Sequence, residues 1–358
     1  MSTFFEEMAC SHVRDLVPYQ SARRIGGHGH NFLNANEAFK SELYIFNSTT
    51  LHRYPDNQPN EVVTGYADYA QVAHDRVLVS RGSDESIGLL VRAFCEPHQD
   101  GVVIAPPTYG MYEIAARTNM AKVAYAKRQA DFSIGAQAFI DAIDNAGFRV
   151  KLVFIDSPGN PLGIVFGRNE LVKLLEAKKD VLVVVDEAYI EFCRDKSCLD
   201  LQQRYRNLVV TRTLSKAFAL AGIRCGFTLA DPALIKLMLK IIDPYPIPDP
   251  VAQIARQAVA QGGVELMAQR VEDINSRKEV LRSELEKLSF VKGIYPSLAN
   301  FLLVKFDNGP KVFDYAAQKG IVLRSFEHVP ELKDCIRITV GSVDELNELG
   351  RVLSGYTG

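Results

Sequence analysis

The residues best equipped for chemistry in this chain collect just behind short apolar runs. Lys216 follows LVVTRTLS and precedes the apolar string AFALAG. A lysine carried from a buried strand toward an apolar helix is partly desolvated, which lowers its pKa and makes its amine a competent nucleophile. Alone, a lysine at a helix start is ordinarily a solvated surface charge. Here Thr213, Ser215 and Arg224 supply around it the donors that hold a phosphate, and Asp186 closes the run VLVVVD one expected strand away.

Three further strand ends carry polar groups. Gly82, Ser83 and Asp84 in RGSDESIGLL open an expected helix, whose first N–H groups and positive end attract an anion, although a plain helix cap reads the same way. Tyr109 in PPTYGMY stands where an aromatic ring could stack on a flat ligand or simply fill the core. Asn160 in GNPLG precedes a proline, so it is held out of helical geometry with its amide free to face a crevice, or serves the turn alone. A lysine for covalent attachment, a carboxylate that keeps a pyridine nitrogen protonated and donors for a phosphate together describe a site for pyridoxal 5'-phosphate (PLP).

Competing chemistries lack their parts. VLVVVDEAY would suit the magnesium-binding strand of a P-loop ATPase, but no GxxxxGK[ST] loop exists. GGHGHNF approaches a dinucleotide loop without its final glycine, its preceding strand or its following helix. The cysteines at 10, 95, 193, 198, 225 and 335 form no CxxC pair and the histidines no HExxH, so reduced thiols and no metal site are expected.

The elements that must position these groups follow from the pattern. From about residue 75, β-branched runs alternate with amphipathic segments, which implies an α/β fold with a mostly parallel central sheet. Apolar runs without polar alternation suggest strands buried on both faces, and such a sheet places its ligand crevice at the carboxyl ends of its strands. DPYPIPDPV (243–251) excludes continuous helix and marks a hinge; a helical stretch over roughly 251–288 and a smaller α+β unit follow it. The expected division is an N-terminal arm with a small-domain segment over 1–45, a large cofactor-binding α/β domain over 46–265, and a small C-terminal α+β domain over 266–358.

With 41 Lys and Arg against 43 Asp and Glu in 358 residues, no basic excess exists to neutralise a nucleic-acid backbone. No apolar run is long enough for a membrane span, and MSTFFEEMACSHVRD lacks a basic region leading into an apolar one, so a cytoplasmic location is expected.

The strings PYQSARRIGG, LNANE, RYPD, VLVSRGSDESI, APPTYGMY, DEAYIEF, RTLSKAFALAGIRCGF and RITVG resemble the histidinol-phosphate aminotransferase family, class II aminotransferases of PLP fold type I. The resemblance runs from about residue 13 to 353. It implies that Lys216 attaches PLP and then shuttles a proton between substrate and cofactor, and that Asp186 pairs with the protonated pyridine nitrogen. Tyr189 and Asn160 would hydrogen-bond the phenolic oxygen and Tyr109 would stack on the ring. Gly82, Ser83, Asp84, Thr213, Ser215 and Arg224 would bind the cofactor, with Tyr54 arriving from the partner subunit of a homodimer. Arg337 and Arg324, with Tyr19 and Asn36, would take the substrate anions.

The implied reaction moves the amino group of L-histidinol phosphate to 2-oxoglutarate, giving imidazole acetol phosphate and glutamate in histidine biosynthesis, ping-pong through pyridoxamine phosphate. Two departures from the family pattern stand out: SPGNPLG replaces the usual SPNNPTG at Gly159 and Leu162, and LNANEAFKSE lacks the proline that often follows its Asn-Glu. An aminotransferase for another, aromatic, amino acid and a phosphoamino-acid decarboxylase of the same fold remain alternatives. A transcription regulator built on the fold would need a DNA-binding domain ahead of it, for which the early start of the resemblance leaves no room.

Overall fold

The computed structural model describes residues 4–19 and 29–357. QSARRIGG, part of the first family-like string, lies outside them. Thirteen strands are present among the described residues: β1 (Asn31–Phe32), β2 (Val77–Ser80), β3 (Asp100–Ile104), β4 (Lys122–Tyr125), β5 (Arg149–Asp156), β6 (Leu182–Asp186), β7 (Leu208–Thr213), β8 (Gly226–Leu229), β9 (Val291–Ile294), β10 (Phe301–Phe306), β11 (Ile321–Val322), β12 (Arg324–Ser325) and β13 (Cys335–Thr339).

Seven of them form one sheet in the order β2-β8-β7-β6-β5-β3-β4. Its middle strands carry apolar runs, at 152–155, 182–185 and 208–210, because helices cover both faces. Val183 and Val185 of β6 enter one core with Leu171, Leu174 and Phe139, while Val184 between them enters a second core with Leu90 and Tyr112. Each such side chain contributes about 1.5–3 kcal/mol by leaving water. A second sheet, β12-β13-β10-β9, is antiparallel, and the arm joins the same region through β1, which pairs in parallel with β11.

Four details differ from the sequence reading. β8 runs antiparallel to both its neighbours, β2 and β7, so its beginning rather than its end lies at the crevice. No α-helix follows Lys216: Ala219 (φ 60°) and Arg224 (φ 54°) turn the chain through the left-handed region, and a single turn at Ala221–Ile223 is all that forms. Ala217, Phe218 and Leu220 are buried from this loop instead of from a helix face. The stretch expected as one helix after the prolines is two, Asp249–Val259 and Gln261–Glu286, parted at Ala260 where ψ is 160°. Residue 265 therefore falls inside a continuous helix. The first 45 residues show little periodicity in the sequence, yet Phe4–Met8 and Ser11–Arg14 are short helices.

Candidate active site

Parallel strands deliver their last residues to one edge, and that edge holds the chemistry. β6 ends on Asp186, beside Asp156 at the end of β5 and Thr211 on β7. Asp186 is buried; it accepts the Tyr112 hydroxyl at 2.9 Å on Oδ2 and the Ala188 N–H at 3.1 Å on Oδ1. Among the described residues no lysine or arginine forms an ion pair with it. Burial pushes its carboxyl up to about 7, opposed by the hydrogen bond from Tyr112.

Lys216 stands in the loop after β7, partly buried, with Nζ donating to the Ala35 carbonyl at 3.0 Å and lying 5.6 Å from the centre of the Tyr189 ring. Desolvation, then the Arg337 charge, brings its amine down to about 8. An amine poised there exchanges protons near neutrality.

A polar cradle forms where β8 begins. The Gly82 backbone (φ 77°, ψ 169°) precedes helix Ser83–Phe94, and a Cβ on Gly226 would lie 2.5 Å from Ser83 N, so only glycine lets β8 start against that helix. Arg224, just before β8, donates to Ser215 Oγ at 3.2 Å and to Asp84 Oδ2 at 3.0 Å. Thr213 Oγ1 donates to Ser215 Oγ at 2.9 Å, and the Tyr109 hydroxyl to Asp84 Oδ1 at 2.9 Å. A guanidinium, two hydroxyls and a helix beginning converge as a phosphate site requires. The Asp84 carboxylate is not an anion ligand; it orients Arg224 and Tyr109.

The antiparallel sheet supplies the opposite wall. Arg324 and Arg337 are direct partners across β12 and β13. Arg337 is buried, with one amino group on Asn160 Oδ1 at 2.5 Å, the other on the Asn34 carbonyl at 2.6 Å, and Nε without a partner. Burial lowers its pKa to about 10, and burial lowers Arg324 as well. Two guanidinium groups side by side in a desolvated place call for an anion. Tyr19 lies beside them, its hydroxyl raised by burial, its ring edge-on to Tyr109 at 5.9 Å.

All the site residues expected from the sequence except Gly82 and Tyr54 line one cavity of about 510 Å3. Gly82 sits under Arg224, where a Cβ would meet the guanidinium at 2.7 Å. Tyr54 is exposed and stacked on Tyr245 with ring centres 4.4 Å apart, away from the cavity of its own chain. Asn36 lines the cavity, but its amide is committed to the Tyr189 hydroxyl at 2.9 Å.

Sequence reasoning missed Tyr112, the donor to Asp186, although it stands three residues after Tyr109 in the same string. It also missed Phe326, Val329 and Leu332, an apolar wall from the loop after β12 that carries no motif. The residues present fit PLP. A buried carboxylate without a cation suits a pyridinium, the Arg224 cradle suits a phosphate, and the cavity is large enough for a flat ring beside Tyr109.

A model of the family described as aminotransferase class I and II matches residues 26–353. The chain is 51% identical over 346 residues to the histidinol-phosphate aminotransferase of Aeromonas hydrophila, covering 95% of each chain. It is 43% identical over 354 residues to the protein of that name from Pectobacterium carotovorum, covering 99% of this chain and 98% of the other. Among solved structures, histidinol-phosphate aminotransferase from Sinorhizobium meliloti, described in complex with pyridoxal-5'-phosphate, superposes with a TM-score of 0.83 at 21% identity over 97% of both chains.

Proposed function

The chain belongs to the class I and II aminotransferase family, and from that membership we infer that it is a PLP-dependent enzyme transferring the amino group of L-histidinol phosphate in histidine biosynthesis. Its 43–51% identity to relatives named for that reaction supports the substrate. 2-Oxoglutarate is the acceptor in this reading, with imidazole acetol phosphate and glutamate as products. The observation that carries it is a partly buried lysine, Lys216, and a buried carboxylate without a cation, Asp186, lining one cavity.

The chemistry PLP supplies when bound is an electron sink that acidifies the substrate C–H bond. Asp186 holds a charge against the ring nitrogen, and Tyr112 keeps that carboxylate in place. The Lys216 amine would take the proton from the substrate α-carbon and return it to the cofactor C4′, two bonds away. Tyr189 and Asn160 donate to the phenolic oxygen. Ser83, Thr213, Ser215 and Arg224 hold the phosphate from one end while Tyr109 packs on the ring. Arg337, Arg324 and Tyr19 donate to the phosphate of one substrate and to a carboxylate of the other, because a guanidinium fork fits both. Phe326, Val329 and Leu332 keep water off the reacting end.

The active form in this reading is a homodimer in which Tyr54 of each subunit reaches its partner's cofactor. Exposed Leu43, Ile45, Phe46 and Leu51 beside Tyr54 support a covered surface there. A large cofactor-binding unit, a small C-terminal unit and an arm that joins the latter through β1 complete the assignment. Among the described residues no helix is long and apolar enough to cross a membrane, in keeping with a cytoplasmic enzyme.

Borohydride reduction of the PLP-loaded protein followed by peptide mass mapping tests the assignment. The cofactor mass should appear on the peptide containing Lys216, and Lys216→Ala should fold, lose that label and lose turnover by at least about 1,000-fold. A label elsewhere, or near-normal turnover in the variant, contradicts it.

A further inference from the structure

On β13, Arg337 and Thr339 are two residues apart, so their side chains leave the strand on the same face. Each touches a different polar group of the site. Arg337 occupies Asn160 Oδ1, which leaves the Asn160 amide N–H groups for the cavity. Thr339 acts one step further back, through Asn36.

Thr339 and Asn36 are both buried. The Thr339 Oγ1 accepts the backbone N–H of Asn36 at 3.0 Å and lies 3.2 Å from Asn36 Oδ1. Asn300 Nδ2 holds the Asn36 carbonyl at 3.0 Å, and Asn36 is fixed in the left-handed region at φ 54°. With its backbone pinned and its amide lying between Thr339 and Tyr189, this side chain can meet those two neighbours in either of two senses, related by turning the amide end for end. In one sense Thr339 donates to Oδ1 and Nδ2 donates to the Tyr189 oxygen at 2.9 Å. In the other, Oδ1 would face Tyr189 and the Thr339 proton would lose its acceptor in a buried place, an arrangement that costs a desolvated hydroxyl.

A phenol oxygen that accepts from Asn36 must send its own proton elsewhere, and the open side of Tyr189 is the cavity. We propose that Thr339 is a positioning residue: its hydroxyl sets the sense of the Asn36 amide, and through it directs the Tyr189 O–H into the site. This rests on the reading of the cavity as a PLP site, in which that proton meets the phenolic oxygen of the cofactor. It recasts Asn36, expected from the sequence to bind substrate, as the link between a strand of the second sheet and a donor at the sheet edge of the first. One strand thereby aims both donors, Asn160 by Arg337 and Tyr189 by Thr339, although 177 and 303 residues separate the partners that touch it.

The charged and titratable groups facing Tyr189 are Arg337 on β13, Asp186 at the end of β6, Tyr109 after β3, Tyr19 from the arm and Lys216 over its ring. None of them is altered by changing Thr339. The test is a pH titration of the visible absorption band of the PLP-loaded protein for the wild type, Thr339→Val, Thr339→Ala and Thr339→Ser, with thermal melting of each cofactor-free protein alongside. A donor aimed at an anionic oxygen favours its ionised state, so its loss should raise the midpoint by about one pH unit in the valine and alanine variants. The serine variant keeps the hydroxyl and should titrate as wild type even where its melting temperature is lower. An unchanged midpoint in valine and alanine, disagreement between those two, or an equal shift in serine would overturn the proposal. A wild-type protein that takes up no PLP would overturn the cofactor reading beneath it, a result distinct from any of these.

Discussion

Asp186→Asn should make the cofactor-free protein more stable at alkaline pH while weakening its hold on PLP. The side chain keeps its shape, Tyr112 can turn its hydroxyl to suit an amide, and the Ala188 N–H still has an oxygen to meet. What changes is the charge. The carboxyl rises from 3.8 to about 7 on folding because burial disfavours its ionised form. An acid whose folded pKa lies above its unfolded value binds protons more tightly when folded, so it costs stability as pH rises between those two values. The penalty is absent below about pH 4, grows to about 2 kcal/mol at pH 5 and levels near 4 kcal/mol above about pH 7.5.

Asparagine carries no such penalty. Urea unfolding of the cofactor-free wild type and variant at pH 5 and pH 8.5 should therefore show the variant's advantage growing by about 2–3 kcal/mol across that interval. Added PLP should reverse the ranking, since only the carboxylate can answer a pyridinium, and the variant's affinity should fall at least about tenfold. A stability difference that is the same at both pH values, or a variant that binds PLP as the wild type does, would refute the picture of a buried carboxylate kept for a cation.

Gly82→Ala would place a side chain at φ 77° and a Cβ 2.7 Å from the Arg224 guanidinium, so denaturant unfolding should show a loss of about 1–3 kcal/mol, and PLP titration an affinity about tenfold weaker as Arg224 is displaced. Glu187→Gln would leave Arg212 buried without its counter-charge; Glu187 accepts two bonds from that guanidinium at 2.9 and 2.7 Å and also holds the Cys198 N–H at 2.7 Å. A loss of about 3–5 kcal/mol in urea unfolding is expected, and a loss below 1 kcal/mol would show that the pair is not the brace it looks to be.

Much of this architecture was legible because strand ends are marked twice, once by an apolar run and once by the polar residue that follows. VLVVVD, LVFIDSP and LVVTRT each announce both a buried strand and the group it delivers. The direction of β8 was not legible, since a strand buried on both faces reads the same in a parallel or an antiparallel place, and that reversal is what brings Arg224 to the cradle. AFALAG has helical composition, yet Ala219 turns left-handed and the apolar residues reach the core from a loop. The bond between Asn36 and Thr339 joins residues 303 positions apart, and no local pattern foretells it. Arg337 and Arg324 entered through family resemblance; only the pairing of β12 with β13 explains why they stand together.

Substrate choice is read most directly from the visible spectrum of the PLP-loaded protein during a single half-reaction, with L-histidinol phosphate, phenylalanine or aspartate added in turn and no keto acid present. The cofactor band should collapse with histidinol phosphate at far lower concentration than with either other donor, and return when 2-oxoglutarate follows. A band that answers equally or better to phenylalanine or aspartate would contradict histidinol phosphate as the substrate.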